Sequence, residues 1–312
     1  MPSLANDAKV SEWGGIMIKI GILGSDSSHA LAFTKLCNIL DETTGEYAFP
    51  DIRITTIYGH DEIQTKNIAM EGQIETIAAT PEEMLGNVDA VMILFRDGNL
   101  HASYALPFIK ASIPVWIDKP FTIDIKDGKK LIMEADNHNC LITGGSTCKY
   151  NCDVMKLAEI ADNGTLGNVI SGYMNFPGDI NSPYNGIHFY GPHMVEMLFS
   201  IFGYDVKSIT TTLHNSEIIC VANYEKITVV LNFNNKIADN FCLIHGDKKS
   251  YAGKLNIDES TYKEGFMKFV EMIKTGKKPL SLDKLIAPTI LLTAILESLN
   301  TGNEVFLDKY TM

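Results

Sequence analysis

The stretch that decides the fold is Ile18-Lys19-Ile20-Gly21-Ile22-Leu23-Gly24-Ser25-Asp26-Ser27-Ser28-His29. Its first half is an apolar run that stops at a glycine, and its second half is rich in side chains that cap helices. Residues 30–40 continue with Leu31, Thr34/Lys35 and Ile39 at helical spacing. The segment predicts strand, tight turn, helix. Further strands are predicted at Ile52–Tyr58, 88–95, 114–117 and 140–143. Helices are predicted at 65–71, 101–111 and Ile125–Asn137, with a helical turn after Pro81. Residues 88–95 are apolar almost throughout, as a strand covered on both faces requires. Such alternation predicts βαβ units and a doubly wound parallel sheet of dinucleotide-binding type.

The pattern changes near residue 146. Helices are predicted at 154–161 and 193–202, with a strand at Val169–Phe176 between them. Four strand-like runs follow, at 206–213, 218–223, 227–233 and 240–244, and the two in the middle are joined by the hairpin-like Asn223-Tyr224-Glu225-Lys226. Helices at 261–275 and 283–299 close the chain. The whole reads as α/β, with a C-terminal α+β domain whose sheet is mainly antiparallel. The expected division is an N-terminal extension at 1–16, a dinucleotide-binding domain at 17–145, and a C-terminal α+β domain at 146–312, to which the resemblance described below assigns substrate binding and oligomerisation.

Composition narrows the classes of function. The chain has 312 residues, 46% hydrophobic and 21% charged, which suits about two globular domains. A formal charge of −12 disfavours nucleic acid as a partner. No apolar run reaches the ~18 residues needed to span a bilayer, and residues 1–16 lack the pattern of a secretory signal. The six cysteines are scattered, with Cys148-x3-Cys152 the one close pair, so free thiols and a cytoplasmic setting are expected. His188, His193 and Glu196 do not form a His-Glu-x-x-His motif, because His188 lies before Pro192, so no metal is predicted.

A dinucleotide loop needs glycine for its tight turn, for close approach to the pyrophosphate, and for helix–strand packing. Gly24 fits the first role, but Asp26 and His29 occupy the other two positions. One reading is a modified loop, in which helix-start amides and the Ser25, Ser27 and Ser28 hydroxyls hold the diphosphate while Asp26 turns away to cap the helix. The other is a helix-capping cluster that no longer binds a dinucleotide. The ribose-reading acid is expected near Gly59; Asp61 is an imperfect substitute and His60 suits a 2′-phosphate, so NAD and NADP both stay open. Arg96 pairs either with a bound anion or with Asp97.

Several segments together resemble the Gfo/Idh/MocA oxidoreductases: residues 18–24, Val88-Asp89-Ala90-Val91 with His101 beyond, Asp118-Lys119-Pro120, Gly191-Pro192-His193, and residues 269–305. The resemblance covers roughly 17–308. It implies a Rossmann domain followed by an α/β domain with an open antiparallel sheet, NAD or NADP as cofactor, and a homodimer or homotetramer. It also implies a sugar, polyol or related small molecule as substrate, oxidised or reduced at a CH–OH group. His101, Arg96 and Lys119 then join the loop residues as cofactor contacts. Lys119 ends a strand and would polarise the substrate oxygen. His193, at a helix start that favours neutral imidazole, would take the hydroxyl proton. The family usually has Glu at Asp118 and Asp at Phe189. Tyr190 and His188 are candidate replacements for that Asp, with Asp179 more remote. Lys149 is a substrate contact or an ordinary helix-start residue. The departures leave a second reading, a non-catalytic ligand-sensing or regulatory protein of the same fold.

Overall fold

The computed structural model describes residues 17–215 and 217–310; the expected extension at 1–16 lies outside them. The chain forms two compact units, each assembled from separate segments. The first takes the described residues up to Asp118, then Lys126–Gly144 and Phe266–Leu282. The second takes Lys119–Ile125, Gly145–Gly265 and the residues from Asp283 onward. Two segments thus depart from a single cut between 145 and 146.

The first unit contains β1 (Ile18–Leu23), α1 (Ser28–Asn38), β2 (Ile52–Tyr58), α2 (Glu62–Glu71) and β3 (Thr76–Ile77). It continues with β4 (Ala90–Ile93), α3 (His101–Lys110), β5 (Val115–Ile117), α4 (Ile125–Asn137) and β6 (Ile142–Gly144). The strands form one sheet in the order β3-β2-β1-β4-β5-β6, and every pairing is parallel. This is the order of a dinucleotide-binding Rossmann sheet, in which ligands bind beyond the carboxyl ends of the strands. β4 is buried along its whole length, as its apolar sequence requires. An aromatic core holds the helices to the sheet. Phe33 of α1 lies 5.9 Å from both Trp116 and Phe266, and Phe269 lies 6.0 Å from Trp116. The two phenylalanines come from α7 (Ser260–Thr275), late in the sequence, which is why that segment belongs to the first unit.

The second unit contains α5 (Cys152–Asp162), β7 (Val169–Phe176), α6 (Gly191–Phe202), β8 (Ser208–His214), β9 (Glu217–Asn223), β10 (Thr228–Phe233), β11 (Phe241–Gly246), β12 (Ser250–Lys254), α8 (Leu282–Thr301) and β13 (Val305–Phe306). Its sheet runs β12-β11-β7-β10-β9-β8-β13, with β10–β7 parallel and the other pairings between long strands antiparallel. Alternation is clear in β9 and β10: Ile218, Cys220, Ala222, Val229, Leu231 and Phe233 are buried against the helices, while the residues between them are half-buried. α6 is buried on nearly all sides, which its apolar sequence Met194-Val195-Glu196-Met197-Leu198-Phe199 allows. α8 continues through Pro288 and Thr289. Among the described residues no helix is long and apolar enough to cross a membrane. All six cysteines are free; five are buried and Cys152 is exposed.

Candidate active site

In the first unit the loop after β1 turns at Gly24, whose φ of +111° favours glycine; a Cβ there would collide with the backbone of Leu94 and Phe95. Ser27 is the N-cap of α1 and accepts from the His29 amide at 3.2 Å. Ser28, the first helical residue, is exposed. Ser25 is buried, and its hydroxyl lies 2.8 Å from Thr65 Oγ1. Thr65 donates its own proton to the Asp61 carbonyl, so Ser25 is the donor in that pair and is committed to the protein.

Asp26 does turn away, but not to cap the helix. Its Oδ2 accepts from the Arg96 amide at 3.1 Å, beyond β4, and its Oδ1 is buried without a hydrogen-bond partner. His29 is drawn to a different group: its Nδ1 lies 2.6 Å from Asp118 Oδ2, with the two side chains 12% and 3% exposed. Both residues that replace loop glycines are therefore engaged by protein groups. Asp61 caps α2, accepting from the Gln64 amide at 2.9 Å. Exposed His60 bonds the Tyr104 hydroxyl at 2.7 Å, and its ring packs on Phe95. His101 is fully buried and donates from Nε2 to the Phe95 carbonyl at 2.7 Å. It ties down the loop after β4.

The second unit holds the remaining candidates. Lys119, 8% exposed, donates from Nζ to the Phe189 carbonyl at 3.3 Å, and the same ammonium lies 4.3 Å from the centre of the Phe189 ring. The residue at the position of the absent carboxylate thus still touches the lysine, through backbone and ring. His193 stands in the first turn of α6. Its Nδ1 lies 2.7 Å from Ser146 Oγ and 3.3 Å from Cys148 Sγ, a thiol that burial pushes up to about 11. His188 is 6% exposed, its Nδ1 has no hydrogen-bond partner, and burial depresses its pKa to about 4. Tyr190 is 42% exposed, with its ring 5.8 Å from that of His193. Tyr190, Phe189, Tyr184, Asp179 and Asn235 line a groove. Asp179 also accepts from the Asn181 amide at 2.8 Å.

Lys149, expected as a substrate contact or an ordinary helix-start residue, lies in the turn that follows Ser146. It is 2% exposed and forms an ion pair with Glu196 of α6. Burial lowers its pKa, but the Glu196 carboxylate outweighs that and holds it above the usual lysine value. The other Glu196 oxygen accepts from the Ser146 amide at 2.6 Å. Among the described residues, no group of three His, Cys, Asp or Glu is arranged to hold a metal. Sequence reasoning missed Ser146 and the Lys149–Glu196 pair; the one local signal is Gly144-Gly145, both at positive φ, just before Ser146.

Comparison with known proteins agrees with this architecture. Residues 18–146 match the family model GFO_IDH_MocA, described as "Oxidoreductase family, NAD-binding Rossmann fold". Over that span the chain is similar to the NAD-binding domain of the Gfo/Idh/MocA oxidoreductases. It is 24% identical over 152 residues to a myo-inositol 2-dehydrogenase of Thermotoga maritima, a stretch covering 48% of this chain and 42% of that protein. The match thus spans less than half the length of that relative. The fold is shared with a crystal structure of a probable dehydrogenase from Thermotoga maritima (TM-score 0.80, 17% identity, 94% of this chain and 100% of the other). It is also shared with scyllo-inositol dehydrogenase from Lactobacillus casei, crystallised with NAD(H) and scyllo-inositol (TM-score 0.77, 14% identity, 94% and 99% covered).

Proposed function

We propose that the chain is an NAD(P)-dependent oxidoreductase acting on a CH–OH group of a sugar, a polyol such as an inositol, or a related small molecule. The observation that carries this reading is the loop after β1. The two side chains standing where glycines are usual are both taken up by protein partners, Asp26 by the Arg96 amide and His29 by Asp118. At the start of α1 the His29 and Ala30 amides bond to Ser27, so the positive end of the helix dipole would favour a diphosphate there. Gly24, Ser27, Ser28 and that helix start would hold the cofactor, with exposed His60 at the rim. Asp61 is engaged as a helix cap, so no carboxylate in that segment is reserved for a ribose, and NAD and NADP are both admitted. When bound, the cofactor supplies the hydride acceptor or donor.

The chain's own residues supply proton handling and orientation. Lys119 has three N–H donors, and the Phe189 carbonyl uses one. The same ammonium would polarise a substrate oxygen. His193 takes the proton from that oxygen on oxidation and returns it on reduction. The groove beside Phe189 and Tyr190 offers aromatic faces for ring C–H groups, and polar Asp179 and Asn235 for hydroxyls. The half-buried apolar side chains on the second face of β9 and β10 support association of two or four copies.

Calorimetric titration with NAD+, NADH, NADP+ and NADPH tests the cofactor, and absorbance assays with inositols and other polyols test the reaction. Binding below millimolar concentration, with polyol-dependent reduction, supports the proposal. Lys119→Ala should then lower kcat/KM by at least about 100-fold while leaving dinucleotide binding intact. Absence of dinucleotide binding would overturn the reading; binding without turnover of any polyol would favour a ligand-sensing protein.

A further inference from the structure

We propose that Ser146 is the positioning residue for His193, filling the orienting role left open by the phenylalanine at 189. The inference rests on the reading of His193 as the proton acceptor. Phe189 is occupied with Lys119, and Tyr190 is exposed, whereas Ser146 is 1% exposed with its hydroxyl 2.7 Å from His193 Nδ1. Nδ1 is turned to this hydroxyl, so proton exchange with substrate falls to Nε2.

A serine hydroxyl has one proton and two lone pairs. One lone pair of Ser146 Oγ accepts from the Cys148 amide at 3.1 Å. In the proposed tautomer the second accepts from Nδ1–H, so that Nε2 is the unprotonated nitrogen; Cys148 Sγ, 3.3 Å from Nδ1, sits beside the same bond. After Nε2 takes a proton, the Nδ1–H bond to Ser146 persists unchanged. The hydroxyl therefore serves both protonation states without moving, as an orienting partner of a catalytic histidine must.

The same helix that carries the imidazole also fixes the hydroxyl. Glu196 lies one turn after His193 on α6, and its Oε1 accepts from the Ser146 amide at 2.6 Å. Buried Lys149, three residues beyond Ser146, pairs with its other oxygen. Gly145 takes φ +78°, and a Cβ there would press on the Glu196 carboxylate. Ser146 is thus tied to α6 twice, through Glu196 at its backbone and through His193 at its side chain. This is a pre-organised link of the kind that holds a ring in one tautomer.

The test is ¹⁵N NMR of the histidine rings in the full chain, read without any ligand, alongside steady-state kinetics with NAD+ and myo-inositol. The eight histidines are resolved by difference against His193→Gln, used for assignment only. In the unsubstituted protein the neutral His193 ring should carry its proton on Nδ1. Ser146→Ala should shift it toward the Nε2–H form, and Ser146→Thr, which keeps the hydroxyl, should restore the original pattern. Ser146→Cys preserves side-chain size and serves if the alanine variant does not fold. Where turnover is measurable, Ser146→Ala should lower kcat at least about tenfold with the KM for NAD+ unchanged. An Nε2–H ring in the unsubstituted protein, or a tautomer indifferent to Ala, Cys and Thr, would overturn the proposal. The NMR outcome is independent of whether any polyol is oxidised, so failure of the enzymatic reading is seen separately, as dinucleotide or polyol inactivity of the unsubstituted chain.

Discussion

The imidazole of His29 and the carboxylate of Asp118 meet at 2.6 Å, although 89 positions separate them in the chain. Each stands where the family usually has another residue, glycine at the first position and glutamate at the second. In the structure the two departures are one contact. An ionised carboxylate only accepts, so His29 Nδ1 is the donor. Asp118 is 3% exposed on its side chain and is peptide-bonded to Lys119, so the contact fixes the residue from which the lysine follows. Removing the imidazole leaves a buried carboxylate short of a donor. His29→Ala should therefore cost about 1–3 kcal/mol, read from urea unfolding. The double variant His29→Ala/Asp118→Asn should cost less than the sum of the single changes. Additive costs would show that the two residues act independently.

Asp26 places a negative charge in the loop proposed to hold a diphosphate. Asp26→Asn keeps an oxygen for the Arg96 amide and removes the charge. Dinucleotide affinity should rise by about 3- to 10-fold, the size of a partly screened charge pair, and the gain should shrink at high salt. Isothermal titration at two salt concentrations checks this. Unchanged affinity would mean that the diphosphate lies elsewhere.

The Lys149–Glu196 pair is buried, so breaking it from one side strands a charge. Lys149→Met or Glu196→Gln alone should destabilise by about 3–5 kcal/mol, and Lys149→Met/Glu196→Leu together by much less. Lys149 has its folded pKa raised above the unfolded value, chiefly by the Glu196 carboxylate working against burial. Its contribution is fully present below the unfolded lysine value and fades only as pH rises through the folded one, so no loss is expected near neutrality. Thermal melts of the three variants, with the unsubstituted protein followed through the alkaline range, measure both.

His188 has the opposite sign. Burial lowers its folded pKa to about 4, against an ordinary value of 6.5. As pH falls through this window the unfolded chain binds a proton that the folded chain refuses. Stability attributable to His188 should fall by up to about 3 kcal/mol across the window. His188→Gln should flatten that part of the stability–pH curve. An equally steep acid limb in the variant would assign it to other groups.

How far the sequence could be read depended on the range of the interactions. β1, Gly24 and α1 follow from local pattern, because a strand–turn–helix is specified by apolar run, glycine and cap within a dozen residues. The strands β8 to β11 were equally legible from alternation, but only β8, β9 and β10 form the expected meander; β11 pairs with β7, which lies between it and β10. Lys119 and His193 were marked as candidates by the resemblance of Asp118-Lys119-Pro120 and Gly191-Pro192-His193 to family motifs, not by local pattern alone. Lys149 could not be assigned, since no local feature says that a lysine after a double glycine is buried against a glutamate 47 positions away. Nor does any local feature show that His101 is buried and bonded to the Phe95 carbonyl.

By itself, then, the amino-acid order determined the two kinds of sheet, the turn at Gly24 and the helix starts, since these depend on periodicity and on hydrogen bonds that close within a few residues. Only the tertiary structure decided the fates of Asp26 and His29, the ring and carbonyl that receive Lys119, and the hydroxyl that faces His193. Those outcomes depend on which distant polar group lies within about 3 Å once the chain is packed, because a buried donor or acceptor must be paired and takes the partner that packing provides.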